Sequence, residues 1–208
     1  MTKKKRILSI ISICVLGVTF IAASNYYKAP KNDAEKAQYM KLLKDKNKNS
    51  KILVKVGNEA ITENDLKIAK IFNDNNLSDD QLLDKLIRDK IFIIEGKKQN
   101  LIPSNEEVIN RVNEVKNQVE KFPDAIEKIK NYKSGLGVSD DEYWNNIVFN
   151  EYKNRITINN LIKKENNKYK NENTTKNLID NSKDESYKQT IDRVYDNLKQ
   201  NYHIQLLK

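Results

Sequence analysis

The sequence predicts a mainly α-helical domain closed by a small two-stranded sheet between its own first and last segments, preceded by a transmembrane or signal helix. Three observations predict it. Four patterns of Ser or Thr followed three residues later by an acid or amide stand just ahead of apolar runs with helical spacing. Two short strand-like segments, ILVKV (52–56) and YHIQLL (202–207), flank those runs. Only five glycines and three prolines occur in 208 residues, too few for the many turns of an all-β chain.

The chain opens MTKKKRILSIISICVLGVTFIAAS. The cations Lys3 to Arg6 precede an uncharged run from Ile7 to Ala23, which as a helix spans roughly 25 Å, at the short end for a bilayer core. Basic residues stay on the cytoplasmic side, so this arrangement directs the following chain outward. Residues 1–24 therefore read as a signal anchor, giving a single-pass cell-membrane protein with its C-terminal domain outside the cytoplasm. Ala22, Ala23 and Ser24 also suit a signal peptide cleaved after Ser24, which would give a secreted protein. Lipidation at Cys14 is the weakest of the three readings. Ile13 is too bulky for the residue before a lipid-bearing cysteine, and further apolar positions follow it. Cys14 is the single cysteine, so no disulfide is available beyond it and stability must come from packing.

Residues 25–50 read as a polar basic spacer, part-helical around Ala34 to Leu43, and the domain as 51–208. ILVKV is a strand ended by the turn Gly57-Asn58. Thr62 with Asp65 opens a helix to about Asn73. Ser78 with Gln81 opens one whose Leu82, Leu83, Leu86, Ile87 and Ile91 to Ile94 cover most of its circumference, the mark of a helix at the centre of a bundle. Ser104 with Glu107, after Pro103, opens a helix with Val108, Val112, Val115, Val119 and Phe122 on one face. Ser139 with Glu142 follows Gly135-Leu136-Gly137, a helix terminator, and opens a helix lined by Trp144, Ile147, Val148, Tyr152 and Ile156. Residues 165–186 are poor in large apolar side chains and read as a linker or a frayed continuation of the helices beside it. Tyr187, Ile191, Val194, Tyr195 and Leu198 mark the last helix. YHIQLL then alternates as a strand whose evident partner is ILVKV.

The net charge of +9 does not point to nucleic acid. Four of the 38 cations lie in 1–24, and seven lysines against three acids lie in 25–50; residues 51–208 hold 27 cations and 26 acids. The excess is juxtamembrane, where anionic head groups or wall polymers attract it. No basic stripe with interleaved aromatics occurs in the globular part. His203 is the single histidine, which leaves no His/Cys zinc set and no ready Ser-His-Asp triad. No phosphate-cradling glycine-rich loop is present. The pairs Asp79-Asp80 and Asp140-Asp141 lie in first turns of helices, where carboxylates complement the helix dipole. No cofactor or metal is implied. The aromatic group Tyr143, Trp144, Phe149 and Tyr152 admits two readings: core packing, or a surface on which unfolded segments are held.

Three segments in order carry a family resemblance. VKVGNEAITENDL (54–66) resembles the opening of the SurA N-terminal domain and of PrsA-like foldases: a short strand, a glycine-containing turn, then Ile-Thr and an acidic helix start. LLDKLIRDKIFIIEGKKQNLIPSNEEV (82–108) is similar to that family's apolar helix, Lys-rich end and Pro-Ser-x-Glu-Glu-Val start. GLGVSDDEYWNNI (135–147) resembles its next turn and helix, and 183–208 would match the returning helix and closing strand. Such proteins commonly carry a parvulin prolyl-isomerase domain before the last helix. Here only residues 165–182 lie in that place, too few and too polar to form one. The resemblance thus implies a membrane-anchored, non-enzymatic chaperone module for unfolded or exported polypeptides, with Tyr143, Trp144, Phe149 and Tyr152 near its peptide groove. The alternatives are a dedicated interaction subunit of a membrane or secretion complex, or a family member with residual isomerase activity. Self-association is compatible with either.

Overall fold

Residues 52–62 set up the first hairpin. Alternation of Val54 and Val56 against Lys55 gives β1 (Ile52–Val56), and Gly57, at φ +58°, turns the chain into β2 (Glu59–Thr62). The computed structural model describes residues 32–46, 50–73, 76–174 and 187–207, the side chains of 170–174 excepted. The anchor or signal segment 1–24, with Cys14 and the cleavage point after Ser24, lies outside the described residues, as does 175–186 of the linker region. Among the described residues no helix is long and apolar enough to cross a membrane.

The elements run α1 (Asp33–Asp45), β1, β2, α2 (Glu63–Ile71), α3 (Asp79–Lys98), α4 (Asn105–Val119), α5 (Pro123–Leu136), α6 (Asp140–Glu142), a π-helical stretch (Tyr143–Val148), α7 (Phe149–Thr174), α8 (Tyr187–Lys199) and β3 (Ile204–Leu206). The protein is mainly helical, with one antiparallel sheet in the order β2-β1-β3. β3 pairs with β1 as the alternation required, Val54 opposite Leu206 and Val56 opposite Ile204. The sheet has three strands where two were expected. Between the Gly57-Asn58 turn and the Thr62 cap the sequence suggests no strand, but Ile61 is buried and pairs with Val54, with a bulge between Ile52 and Val54.

The four helix starts differ in how far their caps close. Thr62/Asp65 and Ser78/Gln81 form reciprocal boxes, each side chain bonding the other's backbone N–H. At Ser104 and Ser139 only the serine half forms. α5 has no such pattern; it starts at Pro123 with Phe122 as a cap lacking any side-chain bond, and only the proline announces it.

Two apolar clusters result. The first joins α1, α4, α5 and the π-helical stretch through Met40, Val108, Val112, Ile129, Tyr132, Tyr143 and Trp144. The second joins the sheet, α3 and α8 through Val54, Val56, Ile61, Ile91, Phe92, Val194 and Leu198. α7 runs through both, with Tyr152 in the first and Leu161 and Ile162 in the second. α3 is central to the second, although Leu83, Leu86 and Ile94 remain partly exposed.

Within the stretch expected to be polar spacer, α1 packs its Ala37 and Met40 into the first cluster. It approaches α5 so closely that a Cβ on Gly135 would lie 2.1 Å from the Ala34 carbonyl oxygen. Gly135 therefore serves helix contact; Gly137, left-handed at φ +64°, ends α5. The buried Asn64 amide donates to the Leu43 carbonyl (3.0 Å) near the end of α1.

The chain's end is held by a polar contact as well as by β3. Glu95 on α3 is 6% exposed and accepts from the Tyr202 hydroxyl (2.6 Å) and from Gln99 Nε2 (2.8 Å). Burial alone would raise its carboxyl; these bonds and the Lys98 charge outweigh burial and hold it below the ordinary value. The adjacent Gly96 lets α3 approach α7: a Cβ there would meet Thr157 Cγ2 at 2.5 Å.

Candidate functional site

The aromatic residues singled out from sequence are chiefly core. Tyr143 is fully buried, and Trp144 and Tyr152 are about as deep at 5% and 4% exposure. Phe149 alone is partly exposed, with the Lys153 ammonium over its ring. Phe72, Tyr132, Tyr143 and Trp144 form a chain of edge-to-face contacts with centroids 5.2–6.4 Å apart. Of the two readings the sequence leaves open for this group, Tyr143, Trp144 and Tyr152 take the packed one. The π-helical stretch explains why they turn inward together. In an α-helix five residues carry a side chain about 140° round, so Tyr143 and Val148 would face different ways. Widening the turn to i→i+5 bonding brings both into the first cluster.

The other residues weighed from sequence have local roles. Asp79 pairs with Lys70, and Asp140 with Lys133 and, at 3.5 Å, Lys116. The Lys133 hydrogen bond is the main reason the Asp140 carboxyl lies below its usual value. His203 is exposed just before β3, and its carbonyl accepts from the Gly57 N–H (3.2 Å). Among the described residues no group of three or more His, Cys, Asp or Glu could hold a metal.

An open cleft of about 510 Å³ lies between α4 and α7, within the range of binding pockets. Ser104, Glu107, Arg111 and Glu114 recur every three or four residues along one flank of α4, with Glu106 and Asn110 beside them. Ile156, Asn159, Asn160 and Lys163 do the same on α7. Phe149 shares that face of α7 one heptad before Ile156 but does not line the cleft. The α4 valines Val108, Val112 and Val115 point into the first cluster, which leaves the adjacent flank of the helix to wall the cleft.

The cleft's polar groups are only partly engaged. Arg111 and Glu114 pair at 2.6 Å, with both side chains more than half exposed. Asn160 donates to the Leu101 carbonyl (3.3 Å), and Asn159 Oδ1 accepts from the Tyr187 hydroxyl (3.1 Å). The Asn110 and Lys163 side chains bond to none of the described residues. Tyr187, expected on the apolar face of the last helix, is 64% exposed and reaches toward this rim instead. The site thus offers carboxamides from both walls, one apolar floor residue and charges of both signs. Carboxamides both donate and accept, matching the N–H and C=O of an extended main chain. Sequence reading missed these residues because asparagines on an amphipathic helix read as a solvated face.

The chain matches no family model and no curated protein.

Proposed function

We propose that this domain is a SurA-N-like, membrane-anchored module outside the cytoplasm that binds unfolded or extended polypeptide segments without catalysis. The observation that carries the reading is the α4–α7 cleft, lined by Asn110 from one wall and by Asn159 and Asn160 from the other. A segment lying along it would exchange main-chain hydrogen bonds with these carboxamides and rest an apolar side chain on Ile156. Glu107 and Lys163 would meet charged side chains of either sign, which suits binding with little sequence demand. Engagement is reversible burial, with no nucleotide and no covalent step. Two arrangements support the family reading beside it. The helices lie between a first hairpin and a closing strand that pairs with β1, in the order the resemblance implies. Continuation of α7 to Thr174 also leaves little chain before α8 in which a parvulin domain could sit.

The test is suppression of aggregation by the full-length chain, using several chemically unrelated unfolded proteins. The reading expects suppression of most of them. It also expects loss of that effect in Asn110→Ala/Asn159→Ala, with helical content unchanged. Suppression of none, with one protein co-purifying in fixed ratio, would replace it by a dedicated subunit. A proline-peptide isomerisation assay is expected to show no acceleration.

A further inference from the structure

We propose that the outer edge of β3 is a second docking line, which takes an extended, uncharged polypeptide segment by main-chain pairing; this rests on the polypeptide-binding reading above but on a different surface. The hydrogen-bond pattern fixes which groups face outward. Gly57 N–H donates to the His203 carbonyl and Leu207 N–H to the Leu53 carbonyl, so alternate residues 203, 205 and 207 bond toward β1. The N–H and C=O groups of Ile204 and Leu206 therefore point away from it. Among the described residues no strand lies on that side, since the sheet order is β2-β1-β3.

Exposed edges are normally guarded by charge, proline or a covering element. The opposite edge has Glu59, paired with Lys90 at 3.2 Å, and its chain runs directly into α2. Residues 202–207, Tyr-His-Ile-Gln-Leu-Leu, carry no acid, Lys, Arg or proline. Leu206 lies opposite Val54, on the sheet face that covers the second cluster, yet it is 66% exposed at the rim. An added strand would place a side chain beside it and extend that apolar face. The size of the edge decides the occupant. Pairing over three residues buries far less than the roughly 1,000 Å² a specific dimer needs, so a second copy would not stay bound. Weak, exchangeable pairing is what transient holding of a client segment requires.

The experiment follows backbone amide shifts of the ¹⁵N-labelled full-length chain. Its probe is an end-capped eight-residue peptide of alternating Val and Thr. We expect saturable shifts at Ile204, Gln205 and Leu206. In Leu206→Pro, which removes an outward N–H and no bond to β1, the edge dissociation constant should rise at least tenfold. Leu206→Lys, which keeps the N–H but adds charge, should weaken it as well and serves if the proline variant loses the Lys55–Gln205 pairing. Shifts confined to α4 and α7, or wild-type affinity at the edge in both variants, would overturn the inference and leave the cleft reading standing. Edge shifts that grow with protein concentration in the absence of peptide would overturn it in favour of self-association. Absence of any response at edge and cleft would remove the polypeptide reading as well.

Discussion

Replacing Tyr202 by Phe removes one oxygen and tests whether the chain's end is fastened from within. The hydroxyl donates at 2.6 Å to Glu95, a carboxylate that burial disfavours and that Tyr202, Gln99 and Lys98 together rescue. A hydrogen bond to a charged group contributes about 1.5–3 kcal/mol, and the carboxylate left behind keeps only Gln99 and the more distant Lys98. The ring and its packing remain, so the cavity contribution is near zero. At about 2–4 °C per kcal/mol for a chain of this size, the melting midpoint should fall by roughly 3–12 °C. The assay is circular dichroism of the full-length chain in heat and urea, with Glu95→Gln in parallel. The pH dependence has a definite sign. Glu95 has a lowered folded value, so its contribution is full above the unfolded carboxylate value of about 4.3 and fades as pH falls through the folded one. The gap between wild type and Tyr202→Phe should thus be constant near neutrality and narrow below about pH 4. A loss under about 0.5 kcal/mol, or a gap that widens in acid, would refute this account of the clasp.

Three further outcomes follow from the packing. Gly135→Ala should cost about 1–3 kcal/mol or detach α1, because the added methyl meets the Ala34 backbone rather than a movable side chain; proteolysis near residue 45 would report it. Trp144→Ala should cost about 3–5 kcal/mol in urea unfolding, as for an interior aromatic; a change under 1 kcal/mol would mean the ring is not packed as described. Ser78→Ala, in a reciprocal box, should destabilise by about 1 kcal/mol, more than Ser139→Ala, whose Glu142 carboxylate bonds Asn146 instead of returning to the cap.

What the sequence made legible was governed by local rules. The alternation of Ile204 and Leu206 against Gln205 needs one apolar side, and ILVKV was the available partner. The valines of α4 face one way because 3.6-residue spacing allows nothing else. The misses are tertiary. α1 has only Ala37 and Met40 to bury, and its docking depends on Gly135, a hundred residues on. β2 is too short to show alternation before Thr62 becomes a cap. The aromatics around Trp144 could be core or surface until the π-helical turn fixed their direction. The cleft exists where two polar helix flanks fail to close on one another, and neither flank alone differs from a solvated one.

The most direct measurement is hydrogen–deuterium exchange of the full-length chain with and without a permanently unfolded, reduced and carboxymethylated protein. The account predicts slowed exchange in 104–114 and 156–163 that Asn110→Ala/Asn159→Ala abolishes. Unchanged exchange in both segments at saturating client, or slowed exchange that survives that double substitution, would contradict it.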